Sequence, residues 1–218
     1  MLSASTLFSV LIFIQCFQFE EAAIGFDAIP TLTTAELNCL KKDGHSFFIA
    51  RIYRSLGKVD TVGIKNIVTA RSAGFTDVDG YLFPCLSSTC PSAATQVTDA
   101  VNGLKAQGAI IGILWLDIEI FAWPTDKALN QKFVLELANT ASNLGYKVGI
   151  YTNPNHWTSI VGIDWTGVSQ YPLWWPRYNN AQDLTTGWVP FGGWSKPNIH
   201  QFNGDKTECG IGLDKSFK

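Results

Sequence analysis

Short apolar runs alternate with helix-patterned segments through most of this chain, and no other feature of the sequence restricts the fold as tightly. Residues 24–28 read as a strand, after which Thr33 or Thr34 can cap a helix running to about Asp43. The same unit recurs with a strand at 46–53 and a helix at 59–73 closed by Gly74, then a strand at 78–84 and a helix at 91–107 stopped by Gly108. A fourth strand at 110–119 precedes the longest helix, 125–144, closed by Gly145; a fifth strand at 146–152 leads to a short helix at 155–161. Strands separated by helices cannot pair as hairpins, so the pattern demands parallel pairing. From Asp164 onward the rhythm changes, with strands expected at 172–178, 198–202 and 210–214 and Trp- and Gly-rich loops in place of helices. The expected fold is α/β: a single irregular TIM-like β/α barrel of five β/α units followed by three strands, with a doubly wound open sheet as its rival.

The acids decide between the two. The run Ile113, Leu114, Trp115, Leu116, Asp117, Ile118, Glu119 has the apolar character of a strand buried in a parallel sheet, where carboxylates are costly unless paired, hydrogen-bonded or at work. Alternation puts Asp117 and Glu119 on one face with Cα atoms roughly 6 to 7 Å apart. Asp27 and Asp214 also fall at or near the C-terminal ends of the first and last expected strands. In barrels that end carries the active site, and closure makes the first and last strands neighbours; an open sheet guarantees no such meeting. A pair of acids is the minimal apparatus of glycoside hydrolysis, one protonating the leaving oxygen and the other stabilising an oxocarbenium-like centre. Two solvated acids at a strand end are the plainer alternative.

Residues 1–22 contain an uncharged apolar core from Leu7 to Phe17 and read as a secretory signal peptide cut near Ala22 or Ala23; residues 23–218 then form one catalytic domain. The chain carries 16 basic and 18 acidic residues, and loss of Glu20 and Glu21 with the signal leaves the two counts equal. Nucleic acid and anionic membrane surfaces are therefore not expected partners, and nothing suggests a stable protein partner, so a secreted monomer is expected. Cys39, Cys85, Cys90 and Cys209 remain after Cys16 is lost, an even set that suits two disulfides in an exported protein. The short spacing of Cys85 and Cys90 makes a local staple the most economical of three connectivities, leaving Cys39 with Cys209. A zinc site is set aside because that CxxxxC has no second ligand pair at metal spacing and His45, His156 and His200 are scattered. No metal and no cofactor are expected, and the histidines read as structural or surface groups.

Ile24-Gly-Phe-Asp-Ala, Trp115-Leu-Asp-Ile-Glu, Gly149-Ile-Tyr-Thr and Gly212-Leu-Asp-Lys resemble the signatures of glycoside hydrolase family 25 lysozymes over essentially the whole mature chain. Tyr81-Leu-Phe-Pro-Cys, Tyr171-Pro-Leu-Trp, Phe191-Gly-Gly-Trp and Gln201-Phe-Asn-Gly-Asp are similar to the small secreted Entamoeba-type members found in amoebae and invertebrates. The resemblance implies an N-acetylmuramidase that cuts the β-1,4 bond between N-acetylmuramic acid and N-acetylglucosamine in bacterial peptidoglycan, for digestion or defence. It implies Glu119 as general acid, with Asp27, Asp117 and Asp214 lining the same pocket. Burial and neighbouring negative charge would let Glu119 hold its proton, while Asp117 would stabilise the cation formed if the substrate's acetamido group attacks the anomeric carbon. Attack by water stays open beside that route.

Tyr81, Tyr151, Trp174, Trp175, Trp194 and Gln201 are the candidate groove residues, with core packing as the alternative for each. Arg51 and Arg54 close the second strand, where an ordinary ion pair is expected rather than a contact with substrate. Family 18 chitinases use DxxDxDxE; here Gly112 and Trp115 occupy its first two acid positions, which argues against that chemistry. A catalytically silent binder of cell-wall glycan on the same barrel is the remaining alternative, and the presence of all four acids argues against it.

Overall fold

A computed structural model describes residues 22–218, so the expected signal segment, Ala22 apart, lies outside the described residues. Five β/α units come first: β1 (Ile24–Ala28) and α1 (Thr34–Lys42); β2 (His45–Arg54) with a two-residue flap, β3 (Lys58–Val59), and α2 (Thr61–Ser72); β4 (Asp77–Leu82) and α3 (Ala93–Ala106); β5 (Ile113–Asp117) and α4 (Lys127–Asn143); β6 (Lys147–Tyr151) and α5 (Pro154–Ile160). Three strands complete the chain, β7 (Leu173–Pro176), β8 (Ile199–Glu208) and β9 (Ile211–Phe217). Local chemistry accounts for the helix starts. Thr33 and Glu36 form a capping box on α1, and the side chains of Asp60, Ser92, Asp126 and Asn153 each accept an amide hydrogen at the start of the next four helices.

The strands run β1-β9-β8-β7-β6-β5-β4-β2 and the sheet closes through β1–β2, making an eight-stranded barrel. All pairings from β1 through β2, β4, β5, β6, β7 and β8 are parallel. The last strand departs from the expected all-parallel order, because β9 is antiparallel to both β8 and β1. Its direction is set by a two-residue link, Cys209-Gly210, with φ of 51° and 80°, the left-handed pair that a tight hairpin needs. Reading the strands short, as 198–202 and 210–214, hides this link. Asp214 is consequently not at a strand's C-terminal end: it lies midway along β9, opposite Asp27, and reaches the acid end because the strand runs backwards.

Two apolar layers follow from strand alternation. Outward residues such as Phe26, Phe48, Ile52, Leu82, Leu114 and Ile150 pack against the helices, while Phe47, Ile49, Tyr81, Trp115, Tyr151, Trp174 and Ile199 fill the barrel. Large rings fit inside because glycines face them: a Cβ on Gly149 would stand 2.3 Å from the Trp115 ring, and one on Gly25 2.4 Å from that of Phe47. Trp115 is fully buried and its indole N–H donates to Asp79 beneath it at 2.9 Å. Cys39 is bonded to Cys209 and Cys85 to Cys90, the expected connectivity.

Candidate active site

Each barrel strand contributes an inward functional group to the same end of the barrel. Asp27 from β1, Arg51 from β2, Tyr81 from β4, Asp117 from β5, Tyr151 from β6, Trp174 from β7, Gln201 from β8 and Asp214 from β9 line one cavity of about 240 Å³, together with Glu119 just beyond β5. All four acids anticipated from the sequence thus share a pocket. Trp175 and Trp194 do not reach it. Trp175 follows Trp174 directly, so alternation turns it outward, where it is buried against His200 and Trp188. Trp194 packs on Trp157 with ring centroids 5.0 Å apart and donates its indole N–H to the Tyr171 carbonyl. Tyr178, 58% exposed just past β7, does line the cavity. The rule that placed the acids, function at the C-terminal end of a barrel strand, also picks it out.

Gln201 organises the side opposite Glu119. Its amide N–H groups donate to Asp27 at 2.8 Å and Asp214 at 3.3 Å, and its oxygen accepts the Tyr151 hydroxyl at 2.8 Å and the Tyr178 hydroxyl at 3.1 Å. Two carboxyl oxygens on one side and two phenol donors on the other favour this orientation of the amide. Asp214 also accepts the Asp205 backbone N–H at 2.7 Å.

Asp117 contrasts with this network. It is 5% exposed and its Oδ1 has no hydrogen-bond partner among the described residues. Burial, with Glu119 and Asp27 nearby, raises its pKa well above the usual aspartate value, against a smaller opposing effect of Arg51. Arg51 is itself committed to Asp60 at 2.7 Å, the ion pair expected of it. Burial also raises Asp27, which Asp214 pushes further, and burial raises Glu119 and Asp214. Four acids facing one guanidinium cannot all ionise cheaply, so the pocket keeps protons at a pH where free carboxyls have lost them.

Glu119 stands on a turn held at every residue. The Ile118 N–H donates to the Tyr151 carbonyl at 2.8 Å and the Ile118 carbonyl accepts from the Thr152 hydroxyl at 2.7 Å. The Glu119 carbonyl accepts from the Trp123 indole at 2.8 Å, and the Ile120 N–H donates to His156 Nδ1 at 3.1 Å. Burial lowers the pKa of His156, which keeps that nitrogen available as an acceptor. The expected fourth strand ran on to Glu119; these side chains end it at Asp117 instead.

Four comparisons with known proteins point the same way. A family model described as Lysozyme-like protein 1 matches residues 18–202. Lysozyme-like protein 5 of Caenorhabditis elegans is 46% identical over 211 residues, spanning 96% of this chain and 98% of its own. Probable GH family 25 lysozyme 5 of Dictyostelium discoideum is 36% identical, spanning 95% and 96%. Among solved structures, a family GH25 lysozyme from Aspergillus fumigatus superposes with a TM-score of 0.70 at 22% identity, covering 90% of this chain and 93% of that one.

Proposed function

This chain belongs to the glycoside hydrolase family 25 lysozymes, and we propose that its four-acid pocket cleaves the β-1,4 bond between N-acetylmuramic acid and N-acetylglucosamine, with Glu119 as the general acid. The observation that carries the assignment is Asp117, whose buried Oδ1 has no partner among the described residues, standing beside Glu119, whose pKa burial raises. An unpaired buried acceptor is costly, and a substrate donor is what relieves it. The acetamido N–H of the bound sugar fits: accepting it would hold the acetamido oxygen toward the anomeric carbon and stabilise positive charge as the bond breaks. Glu119 gives its proton to the departing sugar oxygen. Asp27 and Asp214, held by Gln201, stand on the far side of the pocket, and Tyr81, Tyr151, Trp174 and Tyr178 form the walls.

The substrate we infer is bacterial peptidoglycan, used as food or attacked in defence. Two disulfides suit an oxidising compartment, and among the described residues no helix is long and apolar enough to cross a membrane. Secretion to a gut lumen or vacuole, action as a monomer, and freedom from metal and cofactor complete the reading. Glu119→Gln is expected to lower kcat by about 10²- to 10⁴-fold while glycan binding persists. The check is release of fragments with a reducing N-acetylmuramic acid end from purified peptidoglycan, read by mass. Near-normal release by the variant would refute the role of Glu119; binding without release by the native chain would leave a silent lectin.

A further inference from the structure

His200 is fully buried on the outward face of β8, and both of its ring nitrogens meet carbonyl oxygens: Nδ1 lies 2.6 Å from that of Asp183 and Nε2 2.8 Å from that of Arg177. A carbonyl can only accept, so both contacts are hydrogen bonds only when both nitrogens carry hydrogen. The ring also lies stacked on Trp175, with centroids 4.4 Å apart, where an indole face favours a cation. Around it stand Trp175 from β7, with Trp188 against that ring, and Phe202 from β8. β9 contributes Phe217, the partner of His200 in register. The nearby acid, Asp183, turns its carboxylate away to the amides of Thr185 and Thr186. The guanidinium of Arg177 lies over Gly187. Two carbonyl dipoles and an indole face therefore take the place of a counter-ion.

We propose that His200 is an imidazolium that bolts the segment 177–183 to the barrel and so acts as a positioning residue for Tyr178, whose hydroxyl bonds Gln201 at the acid pocket. The bolt grips the carbonyl one residue before Tyr178 and closes on Asp183, drawing the two halves of the segment together. Other ties are backbone bonds, from Arg177 N–H to the Gln201 carbonyl and from Asn180 N–H to that of Phe202, and side-chain bonds, from the Asn203 amide to Asn180 Oδ1 and from the Asn179 amide to the Thr186 carbonyl. When the ring loses one proton, a nitrogen lone pair faces a carbonyl oxygen and one of the two contacts becomes repulsive. Tyr178 then loses its fixed place beside Gln201 and Asp214. The link to catalysis rests on the proposed function; the charge of the ring does not.

Two measurements separate these parts. In histidine-labelled native protein at pH 5, nitrogen–proton NMR should show both ring nitrogens of His200 protonated, and the Tyr178 ring signals should move in His200→Gln. A ring with a single N–H at pH 5, or Tyr178 signals unmoved by His200→Gln, overturns the proposal whether or not the protein cleaves glycan. In kinetics on solubilised peptidoglycan, His200→Gln, which keeps a single donor nitrogen and no charge, should lower kcat about tenfold with KM nearly unchanged, and a second substitution, Tyr178→Phe, should add little to it. An unaltered kcat, or full additivity of the two changes, overturns the positioning role.

Discussion

Asp117 stands in the barrel at a cost to stability that depends on pH. Burial and its acidic neighbours raise its pKa in the folded chain above the unfolded value. The folded state therefore binds this proton more readily, and stability falls as pH rises from about 4 through the raised value. Asp117→Asn removes that dependence. Its melting temperature should match the native one near pH 4 and exceed it at pH 7, read by calorimetry across the range. A variant that is inactive yet more stable at neutral pH would mark Asp117 as a group kept for function. At this scale the acids were legible because a buried apolar run makes any carboxylate conspicuous. Gln201 was legible as a groove residue, but its bridge between two acids and two phenols was not, since its partners lie up to 174 positions away. Trp174 and Trp175 show the same limit in miniature: composition marks both, and only strand parity, fixed by register, separates them.

The turn after β5 is the element on which the general acid depends. Of its ties, the Thr152 hydroxyl to the Ile118 carbonyl is the easiest to remove without changing shape. Thr152→Val should leave that buried carbonyl unpaired, at about 1–3 kcal/mol of stability. It should lower kcat about tenfold through a small displacement of Glu119 while KM changes little. A melt and a kcat and KM determination on one glycan substrate check both; a rise in KM alone would place Thr152 in substrate binding instead. The helices and first strands were readable because caps, glycine stops and apolar spacing are local signals. The end of β5 and the direction of β9 were not. The first is set by Trp123, Thr152 and His156 from elsewhere in the chain, and the second by how far β8 and β9 extend toward a two-residue turn.

For the whole molecule, the two disulfides differ greatly in reach. Cys39–Cys209 spans 170 positions and ties the β8–β9 turn to α1, while Cys85–Cys90 spans 5. Chain-entropy reasoning gives about 5 kcal/mol for the long loop and about 2 kcal/mol for the short one. Cys39→Ala with Cys209→Ala should therefore lower the denaturation midpoint by roughly twice as much as the Cys85→Ala and Cys90→Ala pair, measured by urea titration at constant pH. Closure itself was legible from Asp27 and Asp214, which lie at opposite ends of the sequence and are partners in register.

The packed aromatics inside the barrel have a further consequence. Trp115 and Trp174, with ring centroids 5.9 Å apart, separate the acid cavity from a second cavity at the other end, which Asp79 and Lys218 help line. The acid chamber thus has a floor of indoles: sugar and water reach the four carboxyls from the strand-end side and not through the barrel.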